Sequence, residues 1–397
     1  MKSFRIAFLF LVPGMLFFGC SKDVAYPAAV GSFEKTYGGA GSDYGRSVSN
    51  YGPGGKEYLM AGYSNSASVS NYDFLLIRAD SAGTVIWQKY YGGAGDDVLL
   101  ATADLQDTTF LVAGYTQSFG AGGKDMYVIA VNTYGTMQWS HTYGGSADEQ
   151  CYGIAQFSNG QRLLTGTTQS FGAQGEDLYL VRTDWSGDTL WTKRYGGPMN
   201  DGGVNIHVFP DNSFMVLGYT NSFGNGDTDL WLLRCDANGD TLWTKTIGTP
   251  GYEEPHQIKM TPDGNLLITA HTAGFGHPEH NVYLVKIDMS GNILWQNNYG
   301  GSQHDGGEWS VIASDGSIYT AARSMSFGNM QQMYLLHTSS GGGLMTERNF
   351  GSHHDEAAHS IIFSSPGNFS SPSHLLLFGE RDADGQVDFF LAQKPVD

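Results

Sequence analysis

Seven acidic residues recur at one point of a repeated phrase and are the first candidates for chemistry. In the third occurrence the phrase TLWTKRYGGPMND, residues 189–201, ends in Asp201. The seven acids are Asp43, Asp97, Glu149, Asp201, Glu253, Asp305 and Glu356. A catalytic acid need occur only once, so the repetition favours structural turn acids that accept backbone N–H bonds. The alternative is a ring of carboxylates at a channel mouth that holds a hydrated cation.

Histidines are concentrated in the last three repeats, where they fall mostly at predicted loop positions. The candidate metal ligands are His277, His280, His304, His353 and His354, with His271 in the same group of loops. Together with Asp305 and Asp355 they would offer nitrogen and oxygen donors suited to a divalent metal. Their spacing matches no recognised ligand motif, and incidental loop polarity is the alternative. No cofactor is certain from the sequence, and a divalent cation is the one candidate.

A phenylalanine recurs in five of the longer predicted loops, within the phrase SFG or GFG. These residues are Phe119, Phe171, Phe223, Phe275 and Phe327. Five rings around one face would form an aromatic rim able to stack on a sugar or grip a peptide. Because the loops are so alike, the competing interpretation is that each ring tucks under its own loop against the adjoining sheet.

A repeat of 52 residues positions all of these side chains. Five tryptophans mark its period: Trp87, Trp139, Trp191, Trp243 and Trp295. Weaker copies of the phrase at both ends, with Phe33 and Thr346 in the Trp position, bring the number of units to seven. In the third unit, apolar alternation predicts the strands CYGIAQF, RLLTGTT, LYLVRTD and TLWTKRY. The sequence therefore predicts an all-β, seven-bladed β-propeller of four-stranded antiparallel blades, with a solenoid as the competing architecture.

The two ends of the repeat array are offset in a way that predicts a closed ring. The array begins with the fourth-strand phrase FEKTYGG, whereas its last unit supplies only AAHSIIF, SHLLLFG and VDFFLAQ. We expect the N-terminal strand to complete the last blade, so that residues 33–397 form one domain without a free sheet edge between its ends.

The repeat also resembles a known family. Residues 177–191, DLYLVRTDWSGDTLW, carry the signature of the bacterial beta-propeller repeat proteins, and the resemblance extends over residues 33–397 with decay at the ends. That family consists mostly of surface or secreted proteins without an assigned reaction. The resemblance therefore implies the architecture and little about chemistry.

The N-terminus has the pattern of an export signal. Basic residues at positions 2 and 5 precede an apolar run that is too short to span a bilayer comfortably. The following FFGC resembles the lipobox of bacterial lipoproteins, which implies a signal peptide at residues 1–19, lipidation of Cys20 by acyl chains such as palmitate, and a tether at residues 20–32. We expect an outer-membrane lipoprotein, periplasmic or surface-exposed; the alternative is a plain secretory signal with an incidental cysteine.

Composition excludes several classes of partner. The formal net charge of -18 repels nucleic acid and anionic lipid, so we expect membrane contact through the lipid anchor only. Cys151 and Cys235 occupy unrelated repeat positions, which predicts buried thiols rather than a disulfide or a thiolate metal site. The sequence contains no CxxCH, HExxH, GxSxG or phosphate-loop motif.

These observations favour a non-enzymatic binding or assembly scaffold for an envelope or surface protein or a peptide, or for a glycan. The alternative is a glycan-binding or glycan-cleaving surface propeller with a metal on its His-rich face. Such an enzyme would require carboxylates or histidines at catalytic separation in a cleft, whereas the sequence shows only symmetric acids. A mainly structural envelope component is the third class.

Overall fold

The computed structural model describes residues 32–51, 57–67, 70–103, 109–276, 279–351, 354–364 and 374–396. These ranges form 28 strands in seven four-stranded antiparallel sheets and contain no helix. They accordingly offer no apolar helix that is long enough to cross a membrane. The predicted signal peptide, most of the predicted tether and Cys20 lie outside the described residues.

Each of the first six blades consists of four consecutive strands, ordered from the channel outward. Blade 1 holds β2 (Asp43–Tyr51), β3 (Glu57–Ser64), β4 (Asp73–Asp80) and β5 (Val85–Tyr91). Blade 2 holds β6 (Asp97–Ala103), β7 (Thr109–Thr116), β8 (Asp125–Asn132) and β9 (Met137–Tyr143). Blade 3 holds β10 (Glu149–Gln156), β11 (Arg162–Thr168), β12 (Asp177–Thr183) and β13 (Thr189–Tyr195).

The next three blades repeat this arrangement. Blade 4 holds β14 (Asp201–Val208), β15 (Phe214–Thr220), β16 (Asp229–Cys235) and β17 (Thr241–Ile247). Blade 5 holds β18 (Glu253–Met260), β19 (Leu266–Thr272), β20 (Asn281–Ile287) and β21 (Ile293–Tyr299). Blade 6 holds β22 (Asp305–Ile312), β23 (Ile318–Ser324), β24 (Gln332–Thr338) and β25 (Leu344–Phe350).

Blade 7 joins the two ends of the chain, as the offset of the repeat predicts. It consists of β26 (Asp355–Phe363), β27 (His374–Ala383), β28 (Gln386–Pro395) and β1 (Phe33–Tyr37). β1 pairs antiparallel with β28, from Phe33 opposite Gln393 to Tyr37 opposite Phe389. The seven-bladed, ring-closed propeller is therefore confirmed.

The core lies between neighbouring blades. All seven residues of β11 and all seven of β12 are buried, as expected for middle strands covered on both faces. The repeated tryptophans lie on the outermost strands, where they are partly buried against the apolar residues of this core. Trp87 Nε1 donates to the Thr133 carbonyl of the next blade at 3.1 Å. Cys151 and Cys235 are buried and unpaired.

The innermost strand of every blade carries a β-bulge three residues after the turn acid. At the bulge one residue has no partner on the second strand, and the pairing resumes one residue later. We call these seven residues the channel ring: Arg46, Leu100, Tyr152, Val204, His256, Glu308 and His359.

Candidate functional site

A cavity of about 560 Å³ occupies the channel, and all seven channel-ring residues line it. Its other walls include Tyr219, Thr228 and Tyr252. These residues lie in or beside two kinds of loop: those joining each fourth strand to the next blade, and those joining second to third strands. Both kinds of loop meet at one end of the propeller, which we call the loop face, so the cavity lies at that end.

The channel ring departs from the repeat and divides into two walls. Blades 2, 3 and 4 contribute Leu100, Tyr152 and Val204, which form an apolar wall. Blades 5, 6, 7 and 1 contribute His256, Glu308, His359 and Arg46, which form an ionisable wall. A second repeat position also differs between blades. It follows a small residue, Gly or Ala, on each second strand, and it holds Tyr63, Tyr115, Thr167 and Tyr219 in blades 1–4 and His271, Arg323 and Glu380 in blades 5–7.

Glu308 is the centre of the ionisable wall. Its Oε2 lies 3.3 Å from Nδ1 of His256 and 3.6 Å from Nδ1 of His359. Its Oε1 lies 3.5 Å from Nε of Arg323 and 3.7 Å from Nε2 of His271. One nearly buried carboxylate is therefore surrounded by four cationic or basic groups from three blades.

Charge pairing sets the protonation of this wall. Burial by itself would raise the pKa of Glu308, but His256, His359 and His271 together hold it well below 4.5. Burial opposes the charge of His359, yet Glu308 and Glu380 raise its pKa above 6.5. Glu380, whose Oε1 lies 3.5 Å from Nε2 of His359, has a lowered pKa for the same reason. The wall thus holds fixed charges of both signs.

The seven predicted turn acids are buried and lie beneath the loop face. Asp201 accepts hydrogen bonds on Oδ2 from the Gly197 N–H and the Ser222 hydroxyl, both at 2.7 Å. The N–H bond from four residues earlier recurs at Asp43, Asp97, Glu149, Glu253 and Asp305, and Glu356 accepts from Arg381 at 2.6 Å. None of the seven lines the channel cavity. Six of the seven carboxylates thus accept a backbone N–H within their own turn.

The five predicted rim phenylalanines are each between 40% and 55% exposed. Each ring packs on an aromatic side chain from the third strand of its own blade, with centroids 5.4–5.7 Å apart. The partners of Phe119, Phe171, Phe223, Phe275 and Phe327 are Tyr127, Tyr179, Trp231, Tyr283 and Tyr334. None of the five lines the channel cavity. The five rings are therefore held against their own blades, are half-exposed and lie outside the channel cavity.

The predicted histidine set is only partly brought together. His280 and His304 lie with ring centroids 4.9 Å apart. His354, in the loop before β26, belongs to neither group of potential metal ligands among the described residues, and His277 and His353 lie outside those residues. His271 does not lie in a face loop as expected; it is a fully buried residue of β19, opposite Glu254 of β18.

The channel ring is not among the residues predicted from the sequence, because it lies within the innermost strands and not in the loops. Each channel-ring residue lies three residues after the turn acid on the innermost strand, at the bulge position that has no partner on the second strand. The signal was present in the sequence: counting three residues from each turn acid gives Arg, Leu, Tyr, Val, His, Glu and His.

Comparison with known proteins supports the fold. No protein-family model matches the chain. Sqt1 of Chaetomium thermophilum, in a structure bound to the N-terminus of the ribosomal protein L10, has a TM-score of 0.50 at 13% identity, covering 87% of this chain and 86% of its own. YCF48 bound to D1 peptide has a TM-score of 0.50 at 12% identity, covering 94% of this chain and 100% of its own.

Two further similarities concern parts of longer proteins. Puromycin hydrolase has a TM-score of 0.53 at 14% identity, over 85% of this chain and 50% of its own. The regulatory protein FlaEY of Caulobacter vibrioides is 27% identical over 177 residues, which is 41% of this chain. The match spans 18% of the length of FlaEY. Propellers similar to this chain thus occur in proteins that bind peptides and in enzymes.

Proposed function

We propose that the protein is a non-enzymatic scaffold that receives a segment of a protein partner in the channel at its loop face. The two-walled channel ring is the observation that carries this proposal. Positions that serve only the fold, such as the turn acids, stay nearly constant from blade to blade. The channel ring has the same backbone geometry in all blades and yet varies from Val204 to Arg46 and Glu308, as expected where side chains face a ligand instead of the core.

The chemistry of the walls suits an extended peptide segment. A cavity of about 560 Å³ falls within the range of roughly 300–1,000 Å³ that is typical of ligand pockets. Leu100, Tyr152 and Val204 would accept an apolar side chain, while Glu308, His359 and Arg46 would orient polar or charged groups of the same segment. Two similar propellers, Sqt1 and YCF48, are each seen with a peptide or a protein N-terminus bound, which supports this choice of ligand.

We further propose that the protein is a lipoprotein anchored to the outer membrane through Cys20. Phe33, the first residue of β1, lies at the end opposite the loop face, because β1 runs from Phe33 toward the loop that enters β2. That end also carries exposed apolar side chains at the start of the outer strands: Val85, Ile86, Met137, Leu190, Leu242, Ile293, Leu294, Leu344 and Met345. An anchored propeller would therefore present its channel away from the bilayer.

Photo-crosslinking from inside the channel tests the binding role. Benzoylphenylalanine is placed at Leu100 or Val204 in the protein expressed in its own host cells, and at Tyr134 as the matched control. Tyr134 is 73% exposed in the turn between β8 and β9, at the opposite end of the propeller. We expect the two channel positions to capture the same protein, through one segment, and Tyr134 not to capture it. Capture of no protein from either channel position would refute the proposal, and a carbohydrate adduct would favour the glycan alternative.

A further inference from the structure

Three imidazoles meet at the loop face between blades 5 and 6, and we call them the imidazole cluster. His271 lies on β19, His280 directly precedes β20, and His304 directly precedes β22. The ring of His271 has its centroid 6.4 Å from that of His280 and 6.3 Å from that of His304. Taking one ring nitrogen from each residue, the three potential ligand atoms all lie within 4.8 Å of one another.

The backbone of the fold holds the cluster in place. The His280 carbonyl accepts from the Asp305 N–H at 2.7 Å, and the His304 carbonyl accepts from the Met325 N–H at 2.9 Å. Gly306 leaves the room that His271 occupies, because a Cβ at that position would lie 2.6 Å from Cε1 of the imidazole. Two loops and one strand are thus fixed with their imidazoles converging, which is the preorganisation that a ligand site needs.

His271 is an unsatisfied group at the base of the cluster. It is fully buried, and neither of its ring nitrogens has a hydrogen-bond partner within the described part of the chain. Nδ1 of His280 is likewise buried without a partner there. An unpaired buried polar group is destabilising, and a ligand bound at this point would satisfy these nitrogens.

We propose that His271, His280 and His304 bind a borderline divalent transition-metal ion such as Zn²⁺. Neutral imidazole is a preferred ligand of zinc, copper and nickel, whereas Ca²⁺ and Mg²⁺ require oxygen ligands that this cluster does not supply. Binding requires the imidazoles to move closer together than the 4.8 Å within which their potential ligand atoms lie, because zinc–nitrogen bonds are only about 2.0–2.1 Å long.

Carboxylates on both sides of His271 complete the arrangement. Its Nδ1 lies 3.8 Å from Oε2 of Glu254, and its Nε2 lies 3.7 Å from Oε1 of Glu308. Whichever nitrogen binds the ion, the other faces a carboxylate that can accept its N–H, which is the usual support of a metal-binding histidine. Three protein ligands leave a coordination position for water or for a further ligand at the loop face.

The proposed metal site is distinct from the peptide channel. None of the three imidazoles lines the channel cavity; Tyr252 does, and its ring packs against His280 at 5.3 Å. Metal binding is measured on the protein without a partner, so its failure would leave the channel proposal intact. Failure of the crosslinking experiment would in turn leave the metal site untouched.

Calorimetric titration with ZnCl₂ tests the site on the untagged protein after dialysis against EDTA. We expect saturable binding of one Zn²⁺ per chain, weakened at least tenfold by His280→Ala and by His304→Ala. His354→Ala is the matched control, a loop-face histidine outside the cluster, and we expect it to bind as the wild type does. Co²⁺ added in place of Zn²⁺ should give the visible absorption of a nitrogen-ligated ion, and that absorption should be lost in the same two variants.

Three results would overturn the proposal. The first is the lack of one-to-one Zn²⁺ binding by the wild-type protein. The second is unchanged affinity in both His280→Ala and His304→Ala. The third is loss of binding in His256→Ala alone, which would place the ion instead among Glu254, His256 and His271. Because His280 and His304 are half-buried loop residues, these two variants are expected to fold, and a melting curve on each checks this.

Discussion

The carboxylate of Glu308 lies 3.3 Å from Nδ1 of His256, although the two residues are 52 positions apart and occupy the same bulge in consecutive blades. The repeat places equivalent positions of adjacent blades side by side at the channel. A site that requires two or more side chains can therefore arise in this fold through substitution of one position in each of several repeats. The ionisable wall of blades 5, 6, 7 and 1 has this construction.

Glu308→Gln should lower the free energy of unfolding by about 3 kcal/mol. The variant keeps the size of the side chain but removes the anion that compensates the buried His359, and breaking a buried pair costs several kcal/mol. Chemical denaturation of the metal-free protein measures the change. Glu254→Gln is the control: this carboxylate lies near His256 and His271 but is 41% exposed, so we expect less than about 1 kcal/mol. Equal effects of the two substitutions would contradict the central role of Glu308.

The contribution of His359 to the stability of the folded protein should decrease as the pH rises. Its pKa is raised above 6.5 in the folded protein, so its stabilising charge is fully present below about pH 6.5 and is lost above the folded pKa. The lowered pKa values of Glu308 and Glu380 act in the opposite direction, and their contribution is lost only as the pH falls well below 4.5. We therefore expect the stability difference between wild type and His359→Gln to be larger at about pH 5.5 than at about pH 9. A difference that grows with pH would show that His359 is neutral.

Asp201→Ala should destabilise the fold by roughly 1–2 kcal/mol without affecting binding at the channel, because a buried turn acceptor with two hydrogen bonds is lost. Thermal and chemical unfolding measure the loss. Asp227→Ala, in an exposed part of the neighbouring loop, should leave stability unchanged. Unaltered stability of Asp201→Ala together with a lost activity would instead identify Asp201 as a functional acid.

Tyr37→Ala should weaken the pairing of β1 with β28 that closes the ring. Tyr37 is buried in the core, and its hydroxyl donates to the Gly83 carbonyl of blade 1 at 2.8 Å. Truncation of a large buried side chain costs about 3–5 kcal/mol, whereas Tyr37→Phe keeps the packing and loses about 1 kcal/mol of hydrogen bonding. We expect the Ala variant, and not the Phe variant, to aggregate on mild heating as the edge of β28 is freed. Equal melting of both variants would mean that β1 contributes little to closure.

The sequence predicts the propeller well because its determinants are local and repeated. Trp87 and its equivalents set the period, and short turns such as the one at Gly187, whose φ of 92° favours glycine, separate the strands. The position of Phe33 in the Trp slot was enough to predict which strand completes blade 7. Each of these features follows from alternation and turn chemistry within one unit.

The site was harder to predict because it depends on contacts between units. His271 was expected in a loop, yet it is buried on β19, since the tyrosine position of the earlier blades is filled by histidine there. Glu308 carries no motif of its own, and its importance comes from His256, His359 and Arg323 of neighbouring strands. The bulge that directs His256, Glu308 and His359 to the channel is visible only in the strand register.

Affinity for the crosslinked partner segment tests the central claim most directly. The segment is synthesised and titrated calorimetrically into the wild type and into a variant in which the ionisable wall is replaced by leucine at Arg46, His256, Glu308 and His359. Arg323 and Glu380 lose their partners in this variant, which is expected to lower its stability. A melting curve of each protein is therefore the control, and binding is compared at a temperature at which both are folded. The account predicts that the variant binds the segment at least a hundredfold more weakly. Affinities of the wild type and the variant within twofold of each other would contradict the account, because the ionisable wall would then have no part in binding the segment.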